Sequence, residues 1–229
     1  MCSSAAKFKK LEKAIKATWG AIENPQVKII FYGDNQRTLF KRRMPVYKGN
    51  DLVLPCKDGY LNCTEKTLQA FDFVSSNFDF DYIFRTNLGS FVNQDRILNF
   101  LMDKPGKQFY SGIVGVYKKG SAHINFASGS GFFLSSDLVR LLVQGRDIVD
   151  HRMIDDAAFG EFFAVNDISI DKQAIRLSYT NEDMEYQIGD QTVEFIPEDL
   201  LYHIRLRSND RRIDIERMKT LFALKGGVL

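Results

Sequence analysis

Apolar positions recur along this chain at two spacings. Phe8, Leu11, Ile15 and Trp19 fall on one helical face, with Lys7, Lys9, Lys10, Lys13 and Lys16 largely opposite; Ser3 or Ser4 stands where a cap belongs. Asn24-Pro25 breaks that helix, and Val27 to Tyr32 then reads as a strand closed by Gly33-Asp34. Asp51 to Leu54 is a second strand. Thr64 is placed to cap a helix that turns Leu68, Phe71 and Val74 inward. Tyr82 to Arg85 reads as a buried strand, followed by a loop over Thr86 to Asn93 and a helix carrying Ile97, Leu98 and Leu101. Phe109–Tyr117 and Asn125–Leu134 are further strands, and Ser136-Asp137 is placed to cap a helix with Leu138, Leu141 and Leu142. Another helix begins near Asp155, Ile168 to Phe195 is strand-like and irregular, and Ile213 to Leu224 is a last helix.

Strands alternate with helices for the first hundred residues, and mixed strands follow. That order predicts an α/β domain of three layers, with a mainly parallel sheet, an antiparallel extension and flanking helices. No repeat, low-complexity tract or Gly/Ser/Pro-rich linker divides residues 1–229, so the pattern predicts one domain.

Composition narrows the class. The chain has 229 residues, 45% of them hydrophobic, enough to bury a core without a metal or disulfide. Cys2, Cys56 and Cys63 are odd in number and lack metal-ligand spacing, which reads as free thiols in a reducing compartment. No stretch reaches the roughly 18 apolar residues of a membrane span, and the first residues lack the apolar core of a signal peptide. The expected location is cytoplasmic, either as a separate chain or as a domain of a longer protein. Net charge is +2, with basic ends around an acidic middle, and the basic first helix has no aromatics among its exposed lysines. Both features argue against a nucleic-acid partner.

Neither G-x-G-x-x-G nor a P-loop occurs, and H-E-x-x-H, G-x-S-x-G and Cys/His clusters are also missing. Four segments remain where chemistry can be placed. Arg85 to Asn93 is a polar run after a buried strand, which suits a ligand-facing loop as well as a satisfied turn built on Asn87 and Gly89. Ala127 to Leu134 carries Gly129 and Gly131 in a strand-like run, as a bulge or a close approach to ligand requires. Asp155-Asp156 opens a helix; such pairs serve as capping charges, or as a general base whose pKa its neighbour raises. His203, Arg205 and Arg207 alternate on one face of an extended segment, either as a solvated edge or as an anion site, with Arg211 beyond.

Taken together, these segments resemble the fringe and β-1,3-galactosyltransferase-like glycosyltransferases of the GT-A (Rossmann-like) fold. Ala17-Thr18-Trp19-Gly20 resembles that family's opening helix, and Asp58-Gly59-Tyr60-Leu61-Asn62-Cys63-Thr64-Glu65-Lys66-Thr67 is similar to its Asp-x-Tyr-x-Asn-x-Thr-x-Lys-Thr segment. Tyr82–Asn93 falls on its metal-binding loop, Ala127–Leu134 on its donor-sugar strand, and Asp155-Asp156-x-x-x-Gly160 on its acidic motif. Two departures stand out. The family's Asp-x-Asp reads Asn87-Leu88-Gly89, and its first strand would lie before Ser3.

The resemblance implies transfer of a sugar from a nucleotide-diphosphate-sugar donor to a glycan hydroxyl, with inversion at the anomeric carbon. It implies Asp156 as the base, with Asp155 tuning it. Ser4, Lys66, Arg85, Asn87, Ser90, Gly129, Ser130, His203, Arg205 and Arg207 would line the donor pocket. A divalent cation such as manganese would rest on His203 and Asn87 at best weakly, because hard cations want carboxylate oxygens. Little or no metal dependence is therefore expected, with arginines stabilising the leaving diphosphate. The alternative is a non-catalytic relative that binds a nucleotide sugar or glycan.

Overall fold

The computed structural model describes residues 1–3, 6–34 and 44–224; Ser4 lies outside them. Among the described residues the chain is a mixed α/β structure. One three-stranded sheet orders β1 (Phe31–Asp34), β3 (Asp51–Leu54) and β2 (Val46–Lys48). A second orders β4 (Tyr82–Thr86), β7 (Ala122–Ser135) and β6 (Tyr110–Lys119). The third has five strands: β10 (Gln191–Val193), β9 (Met184–Ile188), β8 (Ile175–Tyr179), β11 (His203–Leu206) and β5 (Ser90–Val92). The helices are α1 (Ala6–Lys16), α2 (Cys63–Asn77), α3 (Gln94–Leu101), α4 (Ser136–Gln144), α5 (Asp155–Val165) and α6 (Arg211–Ala223). Residues 1 and 2 link the first two sheets: the Cys2 N–H donates to the Tyr32 carbonyl and the Met1 amine to the Thr86 carbonyl.

Successive side chains on β7 serve opposite cores, as strand alternation requires. Phe133 packs with Leu11 and Ile15 of α1, Ile97 of α3, Met218 and Leu221 of α6, and Phe91, Leu177 and Ile204 from the five-stranded sheet. Phe132 and Leu134 face Leu68 and Phe71 of α2, Leu138 and Leu142 of α4, and Phe159 and Phe163 of α5. Each such fully buried side chain contributes about 1.5–3 kcal/mol relative to exposure.

Several sequence expectations need correction. The sheets are not mainly parallel: of the eight strand pairings only β1·β3 and β8·β11 are parallel. Gly49-Asn50, Gly120-Ser121 and Gly189-Asp190 are two-residue connections, with each glycine near φ +60°, and so short a link can join only antiparallel neighbours. The strand expected from Val27 begins instead at Phe31, the first residue paired with β3, while Val27 closes a turn on Asn24. Ile29 and Ile30 are hydrophobic because they pack against core clusters, outside any ladder. The expected loop 86–93 contains β5, which pairs antiparallel with β11.

The caps differ as well. Ser135 is the N-cap position of α4; its hydroxyl donates to Asp137, whose other oxygen accepts from the Gln108 N–H. Asn62 holds that position for α2, and the Thr64 hydroxyl instead donates 2.6 Å to the Met153 carbonyl. Ser3 donates its hydroxyl to Asp58.

Candidate active site

The site is built where β7 departs from its ladder. Val114 pairs with Ala127 and Gly112 with Phe132, so the four residues Ser128 to Gly131 stand opposite Ile113 alone. This bulge frees backbone groups to bond elsewhere. The Gly129 N–H donates 2.7 Å to Asp156 Oδ2, and its carbonyl accepts from Arg85 Nη1. A Cβ at Gly129 would stand 2.8 Å from Asp156 Oδ2 and 2.9 Å from Arg85 Nη1, so only glycine permits this approach.

The two aspartates at the start of α5 have different surroundings. Asp155 is buried, ion-paired with Arg85 and bonded by the Thr67 hydroxyl at 2.8 Å. It fixes Arg85 beneath the bulge, where the guanidinium also lies over the Phe132 ring at 5.6 Å. Both partners bond its Oδ2 and tie the buried carboxylate to the scaffold, so it suits positioning. Asp156 is half-buried, its Oδ1 accepting from the Ala157 N–H at 2.9 Å. Burial first, and the Asp155 charge second, raise its pKa above the usual aspartate value, against the opposing hydrogen bond from Gly129. A carboxylate so tuned is a competent general base.

The Asp58–Thr67 segment attaches α2 to this centre. Thr64 and Thr67 bond Met153 and Asp155, and the Tyr32 hydroxyl meets Thr67 at 3.1 Å. Lys66, expected at the donor, has its buried ammonium 2.5 Å from Asp58 Oδ1 and anchors the preceding loop. Thr18-Trp19-Gly20 is likewise structural: Trp19 Nε1 donates 3.0 Å to the Ser90 carbonyl, and Gln94 donates to the Trp19 carbonyl.

The five-stranded sheet brings the remaining candidates together. Register places Ser90 beside Arg205, Arg205 beside Ser178, and Ser178 beside Glu185, on the face opposite the apolar Phe91, Leu177 and Ile204. His203 shares that polar face but is buried: Ser90 Oγ lies 3.0 Å from its Nε2, and Phe84 meets its ring edge-on at 5.5 Å. Burial, then the charges of Arg176 and Arg205, push its pKa well below 6.5, so the imidazole is neutral. Asn87 Oδ1 accepts from the Gly89 N–H at 2.9 Å, forming the turn into β5. Both residues expected as weak cation ligands have protein partners, Asn87 Oδ1 in its turn and His203 Nε2 at Ser90, and the described residues contain no group of three His, Cys, Asp or Glu able to hold a metal ion.

Arg211 is ion-paired at 2.7 Å with the fully buried Asp214, which also accepts from the Ser208 N–H and so joins β11 to α6. Arg205 and Arg207 make no ion pair or hydrogen bond through their guanidinium groups to any described residue. Arg205 is half-buried and lies in the fields of Arg207 and Asp156, while Arg207 is exposed.

Arg176 escaped the sequence reading. It is 5% exposed, its Nη1 donating to Ser128 and Ser130 while Nε and Nη2 hold Gln187, its cross-strand neighbour. In Ile175-Arg176-Leu177-Ser178 the alternation marks a solvated face; only the covering bulge buries it. Tyr60 also went unremarked as a site residue. It is 70% exposed and within the field of Asp156. An open depression of about 540 Å³ along α6, lined by Asp210, Arg212, Ile213, Glu216, Arg217 and Thr220, shares no residue with this centre.

No protein-family model matches the chain, and comparison with curated proteins likewise returns no match. No helix among the described residues is long and apolar enough to cross a membrane.

Proposed function

We propose that this protein is an inverting glycosyltransferase of the fringe-like kind, with the three-layer GT-A arrangement, acting on a nucleotide-diphosphate-sugar donor and a glycan hydroxyl. The observation that carries the reading is the Asp156 carboxylate, raised in pKa and held by the N–H of Gly129 at a glycine bulge. In this reading Asp156 takes the proton from the acceptor hydroxyl as its oxygen attacks the anomeric carbon, and the bond to the nucleoside diphosphate breaks. Asp155 and Arg85 hold the bulge in register for that step. Arg205 and Arg207, which form no ion pair with a described residue, stabilise the departing diphosphate. The exposed ring of Tyr60 offers the acceptor an apolar surface beside the base.

Asp156→Asn tests the assignment. An asparagine oxygen still accepts from Gly129 but cannot take a proton, so transfer and slow donor hydrolysis fall by about 10²–10⁴-fold with donor affinity nearly unchanged. In the wild type, activity rises with pH through the folded-state pKa of Asp156, which burial and the Asp155 charge hold above the usual aspartate value. Turnover that survives in the variant removes Asp156 from the role. Donor binding with no turnover in the wild type supports the alternative of a non-catalytic relative.

A further inference from the structure

Arg176 is a charge without a counter-charge. Its four hydrogen bonds end on two hydroxyls and one amide, and no described carboxylate forms an ion pair with it. The carboxylate that acts on it most, Glu185, is exposed and bonded instead to Gln187 and Thr192. Burial, followed by the repulsion of Arg205, pulls the guanidinium pKa down to about 10. Two neighbouring guanidiniums, Arg205 and Arg207, are also unpaired among the described residues. Three cations on and beside one sheet face, one of them desolvated, repel each other unless an anion joins them.

The hydroxyls supply the second observation. Ser128 and Ser130 both accept from Arg176 and lie 3.1 Å apart, so one O–H is used between them. The other is left to donate, and its oxygen is polarised by the guanidinium behind it. Ser128 is the half-buried member and so faces outward. Between the two serines, Gly129 faces the other way, to Asp156 and Arg85.

We propose that Arg176 is a positioning residue for a diphosphate site formed by Arg205, Arg207 and the Ser128–Ser130 hydroxyls, and that this guanidinium cluster supplies its positive charge. The identity of the anion rests on the glycosyltransferase reading; the anion site itself does not. Arg176 acts from behind: it holds both hydroxyls toward the ligand and fixes the bulge whose central glycine holds the base.

The test is calorimetric titration of the whole chain with inorganic pyrophosphate, at several salt concentrations and without added metal. Pyrophosphate is expected to bind more tightly than phosphate. Arg205→Gln and Arg207→Gln each weaken it by about tenfold or more, the loss of one charge-assisted contact. Arg176→Gln weakens it comparably and also flattens the salt dependence, which loss of a purely structural residue would leave unchanged. Should Arg176→Gln fail to fold, Ser128→Ala takes its place, since it deletes the donor at a half-buried position and is expected to weaken binding severalfold. No pyrophosphate binding to the wild type overturns the proposal, as does unchanged affinity in Arg176→Gln or, in its place, Ser128→Ala. Pyrophosphate binding without sugar transfer leaves the anion site standing and removes the glycosyltransferase reading. Transfer that is indifferent to Arg176→Gln does the reverse.

Discussion

At the scale of single residues, the site is decided by which partners each side chain finds and how deeply it is buried. Asp155 and Asp156 are chemically identical and adjacent, yet the first is held by Arg85 and Thr67 and the second keeps a half-buried carboxylate. His203 shows the same logic with a measurable consequence. Its folded-state pKa lies below 6.5, so above that value both folded and unfolded forms are neutral and it adds no pH dependence. As pH falls below 6.5 the unfolded chain takes up the proton first, and the fold loses about 1.4 kcal/mol per unit until the folded-state pKa is reached. Urea unfolding of wild type and His203→Gln at pH 7, 6 and 5 should show a gap that closes or reverses as the pH drops. A gap independent of pH would mean that the imidazole titrates alike in the folded and unfolded chain, and a gap that widens as the pH drops would mean that the fold favours its charged form. The His-x-Arg-x-Arg alternation was legible in the sequence. The burial of its histidine was not, because Ser90, Phe84 and the β7 bulge come from distant parts of the chain.

At the scale of elements, α5 depends on close approach to β7. A Cβ on Gly160 would meet the Phe126 side chain and stand 2.7 Å from the Asn125 carbonyl oxygen. Alanine is favoured over glycine in a helix by up to about 1 kcal/mol, but both partners here belong to a paired strand that cannot yield cheaply. Gly160→Ala should therefore destabilise the protein by about 1–3 kcal/mol net, read as a lower midpoint in thermal or urea melts. A raised midpoint would show that helix and strand are further apart than described. The same packing aims the first turn of α5, and with it Asp156, at the bulge. In the sequence Gly160 was visible only as part of a motif; its physical role appears once β7 lies beside it.

At the scale of the whole molecule, two apolar clusters meet through β7, and the aromatic set around Phe133 ties β4 and β7 to α3 and to Tyr202, the residue before β11. Phe84 lies 4.5 Å from it, Phe100 5.3 Å and Tyr202 5.6 Å, and Phe133 itself is fully buried. Phe133→Ala is expected to cost about 3–5 kcal/mol and to lower a single cooperative transition. Two separate transitions in the variant, one per cluster, would refute that linkage. Charge is arranged on the same scale, with the apolar face of the five-stranded sheet turned to the first cluster and its polar face carrying Arg176, Arg205 and His203.

The sequence by itself determined the order and type of most elements, because helical and strand periodicities are local properties of side-chain spacing. It also marked Asp156, Gly129, Arg205 and Arg207, whose spacing in short segments survives without any fold. Strand direction was in principle legible too, in three glycine-containing two-residue turns whose chemistry excludes parallel pairing. Tertiary structure alone decided which groups were free. Lys66 went to Asp58, Asn87 to its own turn and His203 to Ser90, while an arginine on an apparently solvated alternation was buried behind two serines. Partner choice depends on residues scores of positions apart, and spacing along the chain carries no information about them.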